Sequence, residues 1–253
     1  MVTNLKSRFM RSWLRLGLCL VVITAAAAGL ARISVAVAMD EGDRVEARCE
    51  PPFLLLGEEF DGVTPPSLPL SWSSTTWVTS NSGVPMPAAD TPPNASFVDD
   101  PATISDKQLL SPNIPYPADG GDVRLSFRNN FNLQGGFDGA VLEVSLDGGL
   151  TFQDVVAAGG TFARGGYNGT ISSCCGNPLA GRQAWTGNSS GFITTTVNLP
   201  RPGGTYILRW RMGSDGSVSG EGWRIDTVAI TQCPNLSRPP RGQPTPHPRP
   251  TPR

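Results

Sequence analysis

Between residues 122 and 230 short runs in which apolar and polar side chains alternate with a period of two recur, the mark of half-buried strands, and helical periodicity is hard to find. Over 122–128 Val123, Leu125 and Phe127 point one way and the charged residues the other. Over 140–146 Leu142, Val144 and Leu146 face in while Glu143 and Ser145 face out. Ile193, Thr195, Val197 and Leu199 repeat the pattern. So do Tyr206, Leu208, Trp210 and Met212, set against outward Arg209 and Arg211. A β-branched run over 223–230 closes the series, and Asp147-Gly148-Gly149 supplies the residues a tight hairpin needs. Polar stretches rich in Pro, Gly, Asn and Ser, 79–106 and 159–188, read as loops between strands. The pattern predicts an all-β fold, two packed antiparallel sheets forming a jelly-roll β-sandwich.

The two ends differ from this body. A basic stretch up to Arg15 precedes sixteen uncharged residues, 16–31, and small residues follow at 29–31 and 36–38. Such a segment predicts a signal helix, 1–38, that directs export. Membrane attachment is expected only if that segment stays uncleaved. A lead-in follows over 39–56, then the sandwich domain over 57–233. The tail, 234–253, has eight prolines in twenty residues and is expected to be disordered. The chain as a whole carries a net charge of −1, but the two ends hold nine basic residues and no acid, leaving 11 basic groups against all 21 acids between them. An acidic body argues against nucleic acid as a partner. The single histidine, His247, lies in the tail, which removes His-dependent nucleophile and zinc chemistry from the domain.

Cys49, Cys174, Cys175 and Cys233 remain after export, an even number where disulfides persist. Cys49 and Cys233 sit at the two ends of the body and Cys174 beside Cys175 in a polar loop; all three pairings of the four stay open. Among the aromatics, Trp210 and Trp223 fall on strand patterns and read as packing. Trp185, in the long polar loop, is the candidate exposed ring, with Tyr167 and Arg182 as companions on a ligand-binding face. Glu143 and Asp147, four residues apart at a hairpin, are the carboxylate pair a glycosidase reading would use, although the E-x-D-x-x-E pattern of sandwich glucanases is missing.

Three stretches, 137–155, 165–199 and 208–230, and the opening 57–77, resemble the MAM-like β-sandwich modules of bacterial secreted proteins, including the accessory domains of immune-inhibitor-A-like metallopeptidases. NPLAGRQAW and EGWRID are the most specific segments. Residues 145–152 are similar to an Asp-box hairpin, a folding device. The resemblance implies a non-catalytic module. It also implies a structural Ca²⁺ held by an acid of the first strand and an Asp of the last, here Asp61 and Asp226, with Glu58, Glu59, Asp138 and Glu221 as lesser candidates. The expected function is an exported, non-enzymatic module for extracellular adhesion or for binding glycan or protein. The alternative is a structural accessory domain of the type that flanks secreted peptidases; a carboxylate-based hydrolase comes third.

Overall fold

The computed structural model describes residues 52–118, 120–201 and 204–233. The signal helix, most of the lead-in, Cys49 and the proline tail lie outside the described residues. The described residues form strands and loops with no helix. The strands are β1 (Phe53–Glu58), β2 (Val78–Ser80), β3 (Ala95–Val98), β4 (Ser105–Leu110), β5 (Ile114–Pro115), β6 (Asp122–Asn132) and β7 (Gly139–Ser145). They continue with β8 (Gln153–Asp154), β9 (Thr161–Arg164), β10 (Gly169–Thr170), β11 (Gln183–Ala184), β12 (Ile193–Asn198), β13 (Thr205–Ser214) and β14 (Gly222–Cys233). A seven-stranded sheet runs β2-β3-β14-β6-β12-β9 with β1 also on β14, and a five-stranded sheet runs β4-β13-β7-β8 with β5 on β13. The described ladders of both sheets are antiparallel, and the chain passes repeatedly from one sheet to the other.

The expected alternation holds where one face meets water. On β6 Val123, Leu125 and Phe127 are buried, and on β13 Tyr206, Leu208, Trp210 and Met212 are, so the two sheets close on one core in which Phe127 meets Trp210 edge to face at 5.7 Å. Elsewhere the structure departs from the sequence expectation. Every residue of β7 is buried, because part of the segment expected to be a plain loop folds over its outer face. Ile171, Leu179 and Ala184 pack on Val141 there in a second, smaller apolar cluster. That segment also carries β9, β10 and β11, and the other expected loop contains β2 and β3. The expected domain start at 57 falls inside β1, which pairs with β14.

β14 is not one continuous alternation. A bulge between Asp226 and Ala229, with Thr227 at φ 48°, switches the inward set from Trp223 and Ile225 to Val228 and Ile230. Arg224 takes the opposite face, fully buried with no carboxylate bonded to it. Its guanidinium donates to the carbonyls of Ser82 (2.7 Å), Val84 (3.2 Å), Pro85 (3.1 Å) and Ala88 (2.9 Å), and lies 4.6 Å from the centre of the Phe97 ring. Burial pushes it down to about 10. One planar fork thus ties 82–88 onto the sheet. A lysine keeps the charge but loses the fork, so Arg224→Lys is expected to lower stability by about 2 kcal/mol in urea denaturation.

Candidate functional site

The outer face of the five-stranded sheet carries a closed set of ion pairs. Register places Arg209 of β13 opposite Glu143 of β7, Glu143 opposite Asp154 of β8, and Arg211 opposite Gln108 of β4. Arg209 Nε donates to Glu143 Oε2 at 2.5 Å, and its Nη1 to Gln108 Oε1 at 3.1 Å. Arg211 forms a two-bond fork with Asp106, at 2.8 and 2.7 Å, and approaches Glu143 Oε1 at 3.4 Å. Arg182 reaches in from the covering segment, with Nη1 on Glu143 Oε1 and Nη2 on Asp154 Oδ2 at 2.9 Å. Glu143 is therefore the hub of three guanidinium groups. Burial by itself would raise it, but the hydrogen bond from Arg182 and the charges of Arg209, Arg182 and Arg211 outweigh burial and hold it below the ordinary glutamate range. The Arg209 guanidinium lies 4.0 Å over the Phe152 ring. Three arginines meet three acids, so the set is neutral as a whole.

Of the residues expected on a binding face, Arg182 is in this set and Tyr167 borders it. The Tyr167 hydroxyl lies 2.9 Å from Asp154 Oδ2 and accepts from Leu142 N–H at 3.0 Å; burial, then the Asp154 charge, raises it. Trp185 corrects the expectation. It is not an exposed ring but a fully buried one, packed against Phe127, Phe162, Tyr167 and Trp223 at 4.8–5.9 Å between ring centres, with Nε1–H donating to the Gly165 carbonyl. Its backbone bridges to Ala140 at the start of β7, which turns the ring inward. Sequence reasoning missed the hub, Glu143, because its partners lie 39, 66 and 68 residues away.

Asp226 and Asp61, the two carboxylates expected to hold Ca²⁺, each accept hydrogen bonds within the fold. Asp226 is buried and fully engaged: Oδ2 accepts from Asp90 N–H (2.7 Å) and Thr91 N–H (3.0 Å), and Oδ1 from Thr91 Oγ1 (3.1 Å) and Thr227 N–H (2.7 Å). These four donors make it an anchor for the 90–91 turn. Asp61 Oδ1 accepts from Asn94 N–H at 2.8 Å, and Glu58 Oε1 from Phe60 N–H at 2.7 Å. Glu58, Glu59 and Asp61 line a cavity of about 400 Å³ together with Thr227. Glu221 is half-buried and its N–H donates to the Asn132 carbonyl. Asp138 is fully buried in another place, with Asp100 and Asp215.

Cys174 and Cys175 are bonded to each other. Cys233 is also disulfide-bonded. Residues 145–152 do form the Asp-box-like hairpin. Asp147 accepts from Ser145 Oγ (2.7 Å), Thr151 N–H (3.0 Å) and Thr151 Oγ1 (2.6 Å), which hold it down at about 2, and Gly148 and Gly149 take the positive φ the turn requires. The glycosidase pairing therefore has no acid to offer here: Glu143 is kept ionised by three arginines, and Asp147 is occupied by its own turn. Asn94, which begins a glycosylation sequon, is buried with its amide on the Phe60 and Val63 carbonyls.

No family profile and no curated protein sequence matches this chain, so the MAM-like reading stays a resemblance. Solved structures do match in architecture. The K2 cleaved adhesin domain of Lys-gingipain is 17% identical, with 70% of this chain and 97% of that one covered and a TM-score of 0.42. The CBM22-1 xylan-binding domain of Paenibacillus barcinonensis Xyn10C is 10% identical over 72% and 96%, with a TM-score of 0.43. TmCBM61, solved with β-1,4-galactotriose, is 13% identical over 64% and 86%, with a TM-score of 0.39. These are β-sandwich modules, and the likeness is one of fold.

Proposed function

We propose that this chain is an exported, non-catalytic β-sandwich module that binds an uncharged glycan across the outer face of the five-stranded sheet. The observation that carries the reading is the charge-balanced platform of Arg182, Arg209 and Arg211 with Asp106, Glu143 and Asp154. Its arginine side chains remain 16–26% exposed although each is locked by a partner. Groups already held in place lose little freedom on binding, and their remaining donors and acceptors suit the paired hydroxyls of a sugar ring. Gln108 on edge strand β4 extends the polar row. A neutral set offers no net field to a sulfated or phosphorylated polymer, which argues for an uncharged one. The export signal read from the sequence puts such a module outside the cell, in adhesion or attachment. The same internal pairing also suits a purely structural accessory module, of the kind the MAM-like resemblance implies.

Gel retardation separates the two. The full chain run through gels containing xylan, galactan, mannan or β-glucan is expected to slow in at least one of them, and Gln108→Ala is expected to weaken that retardation several-fold while leaving the melting temperature nearly unchanged. Retardation in none of them, or only in heparin or another sulfated polymer, overturns the glycan reading and leaves the structural one.

A further inference from the structure

The segment that covers β7 carries a small closed loop, 172–180, that contains Cys174 and Cys175. Its base continues the β10–β11 ladder: Gly181 N–H donates to the Ile171 carbonyl and Ile171 N–H to the Arg182 carbonyl, both at 2.9 Å, and Arg182 N–H to the Leu179 carbonyl at 3.0 Å. Ile171 and Leu179 are buried on Val141. Asn177 pins the far side of the loop to the sandwich. It is 4% exposed; its Nδ2 donates to the carbonyls of Phe137 (2.7 Å) and Gly213 (2.9 Å), and its Oδ1 accepts from Leu179 N–H at 2.7 Å.

One residue, Gly176, stands between the disulfide and this pin. Cys175 has φ 70° and Gly176 φ 84°, two successive residues in the left-handed region. Glycine is at ease there and a residue with a β-carbon is not, so Cys175 keeps its half of the turn only under constraint. The bond to Cys174 supplies that constraint, because it closes a ring through both side chains and the peptide between them. The same bond is open to attack. Both cysteines are exposed, whereas Cys233, which is disulfide-bonded too, is half-buried. Chain neighbours have α-carbons 3.8 Å apart, less than the roughly 4.4–6.8 Å that disulfides usually span, which makes such a bond easier to reduce. The Ser172 hydroxyl donates to Cys174 Sγ at 3.3 Å, so Cys174 is the sulfur whose departing thiolate is met by a donor.

We infer that Cys174 and Cys175 form a thiol–disulfide exchange site for a dithiol reductant, and that their reduction unlocks the loop and loosens the segment that carries Arg182. One thiolate of the dithiol attacks Cys175 Sγ and forms a mixed disulfide. The Cys174–Cys175 bond breaks, its electron pair passes to Cys174 Sγ, and that sulfur takes a proton from water. The second thiolate attacks the dithiol's own sulfur in the mixed disulfide and releases Cys175, which is protonated in turn. Two electrons and two protons enter the protein, and the dithiol leaves as a disulfide. Freed of the ring, Cys175 leaves the left-handed region, the turn before Asn177 opens, and the hydrogen bonds of Ile171, Gly181 and Arg182 weaken. A static turn, in which the bond only shapes the loop, is the competing account.

Full-length protein equilibrated in graded mixtures of reduced and oxidised dithiothreitol, then quenched with iodoacetamide and digested, decides between them. Mass spectrometry is expected to find Cys174 and Cys175 alkylated in mixtures that leave Cys233 unlabelled. Amide hydrogen exchange at Ile171, Gly181 and Arg182 is expected to quicken about tenfold on reduction and to recover on reoxidation. Cys174→Ser with Cys175→Ser is expected to exchange like the reduced protein and to ignore the dithiol. Cys174→Ser with Cys175→Gly is expected to keep slow exchange, because glycine holds the turn unaided. If the first variant does not fold, the wild-type labelling and exchange decide alone. No glycan enters these readouts, so their outcome is independent of what the platform binds. Labelling of Cys233 before or together with Cys174 and Cys175, or full reduction with unchanged exchange at the three amides, overturns the site in favour of the static turn. Equal exchange in the two variants overturns the left-handed lock.

Discussion

Trp185→Ala is expected to lower the unfolding free energy by about 3–5 kcal/mol, the range for removing a large aromatic from a close-packed interior. The ring is fully buried and stands against four others, Phe127, Phe162 and Trp223 of the seven-stranded sheet and Tyr167 of the covering segment. Its loss opens a cavity where the covering segment joins the sandwich and strips the Gly165 carbonyl of its indole donor. Urea denaturation followed by tryptophan fluorescence measures it, and a loss below about 1 kcal/mol would contradict the burial described. Any fall in glycan retention by this variant would report a loosened fold rather than a lost contact, which is why the binding test rests on Gln108.

Glu143→Ala is expected to cost about 3 kcal/mol. Removing the acid from a buried ion pair leaves its partner charges uncompensated, typically a loss of about 3–5 kcal/mol. The lower end applies here because Arg211 keeps its fork with Asp106 and Arg182 keeps Asp154, so Arg209 is the group left with Gln108 alone. The same carboxylate sets an acid limb. Its folded pKa is depressed below the ordinary value of 4.5, so its stabilisation is complete above about that pH and is lost as pH falls through the lower folded value. Stability curves of wild type and Glu143→Gln are therefore expected to converge below pH 4 and to separate above it. Parallel curves across that window would show that the arginines do not hold this group ionised.

Much of the architecture is written in the alternation. On β6 and β13 one face meets the core and the other does not, so period two survives into the structure and places Leu125, Phe127, Leu208 and Trp210 correctly. β7 is where the rule fails, since a second layer over Val141 and Glu143 buries both faces, and a charged residue that looks outward becomes the most enclosed acid of the face. The β14 bulge is equally hidden, because Asp226-Thr227 fits a strand pattern as well as it fits a shift of register. Arg182 and Tyr167 could be grouped from their shared segment, but Trp185, with the same sequence surroundings, is turned inward by its bridge to Ala140. Asp100, Asp138 and Asp215 meet only because three loops converge at one end of the sandwich, with 77 residues separating the bonded pair Asp138 and Asp215.

The platform around Arg209 and Arg211 is the proposed binding surface. The arginine Nε–H resonances of ¹⁵N-labelled protein, followed during titration with whichever of xylan, galactan, mannan or β-glucan retards it most, test this residue by residue. Saturable shifts at Arg209 and Arg211, with Arg238, Arg241, Arg249 and Arg253 of the tail unmoved, are the predicted result. Shifts confined to the tail arginines, or a platform that stays silent while the polymer binds, would contradict it.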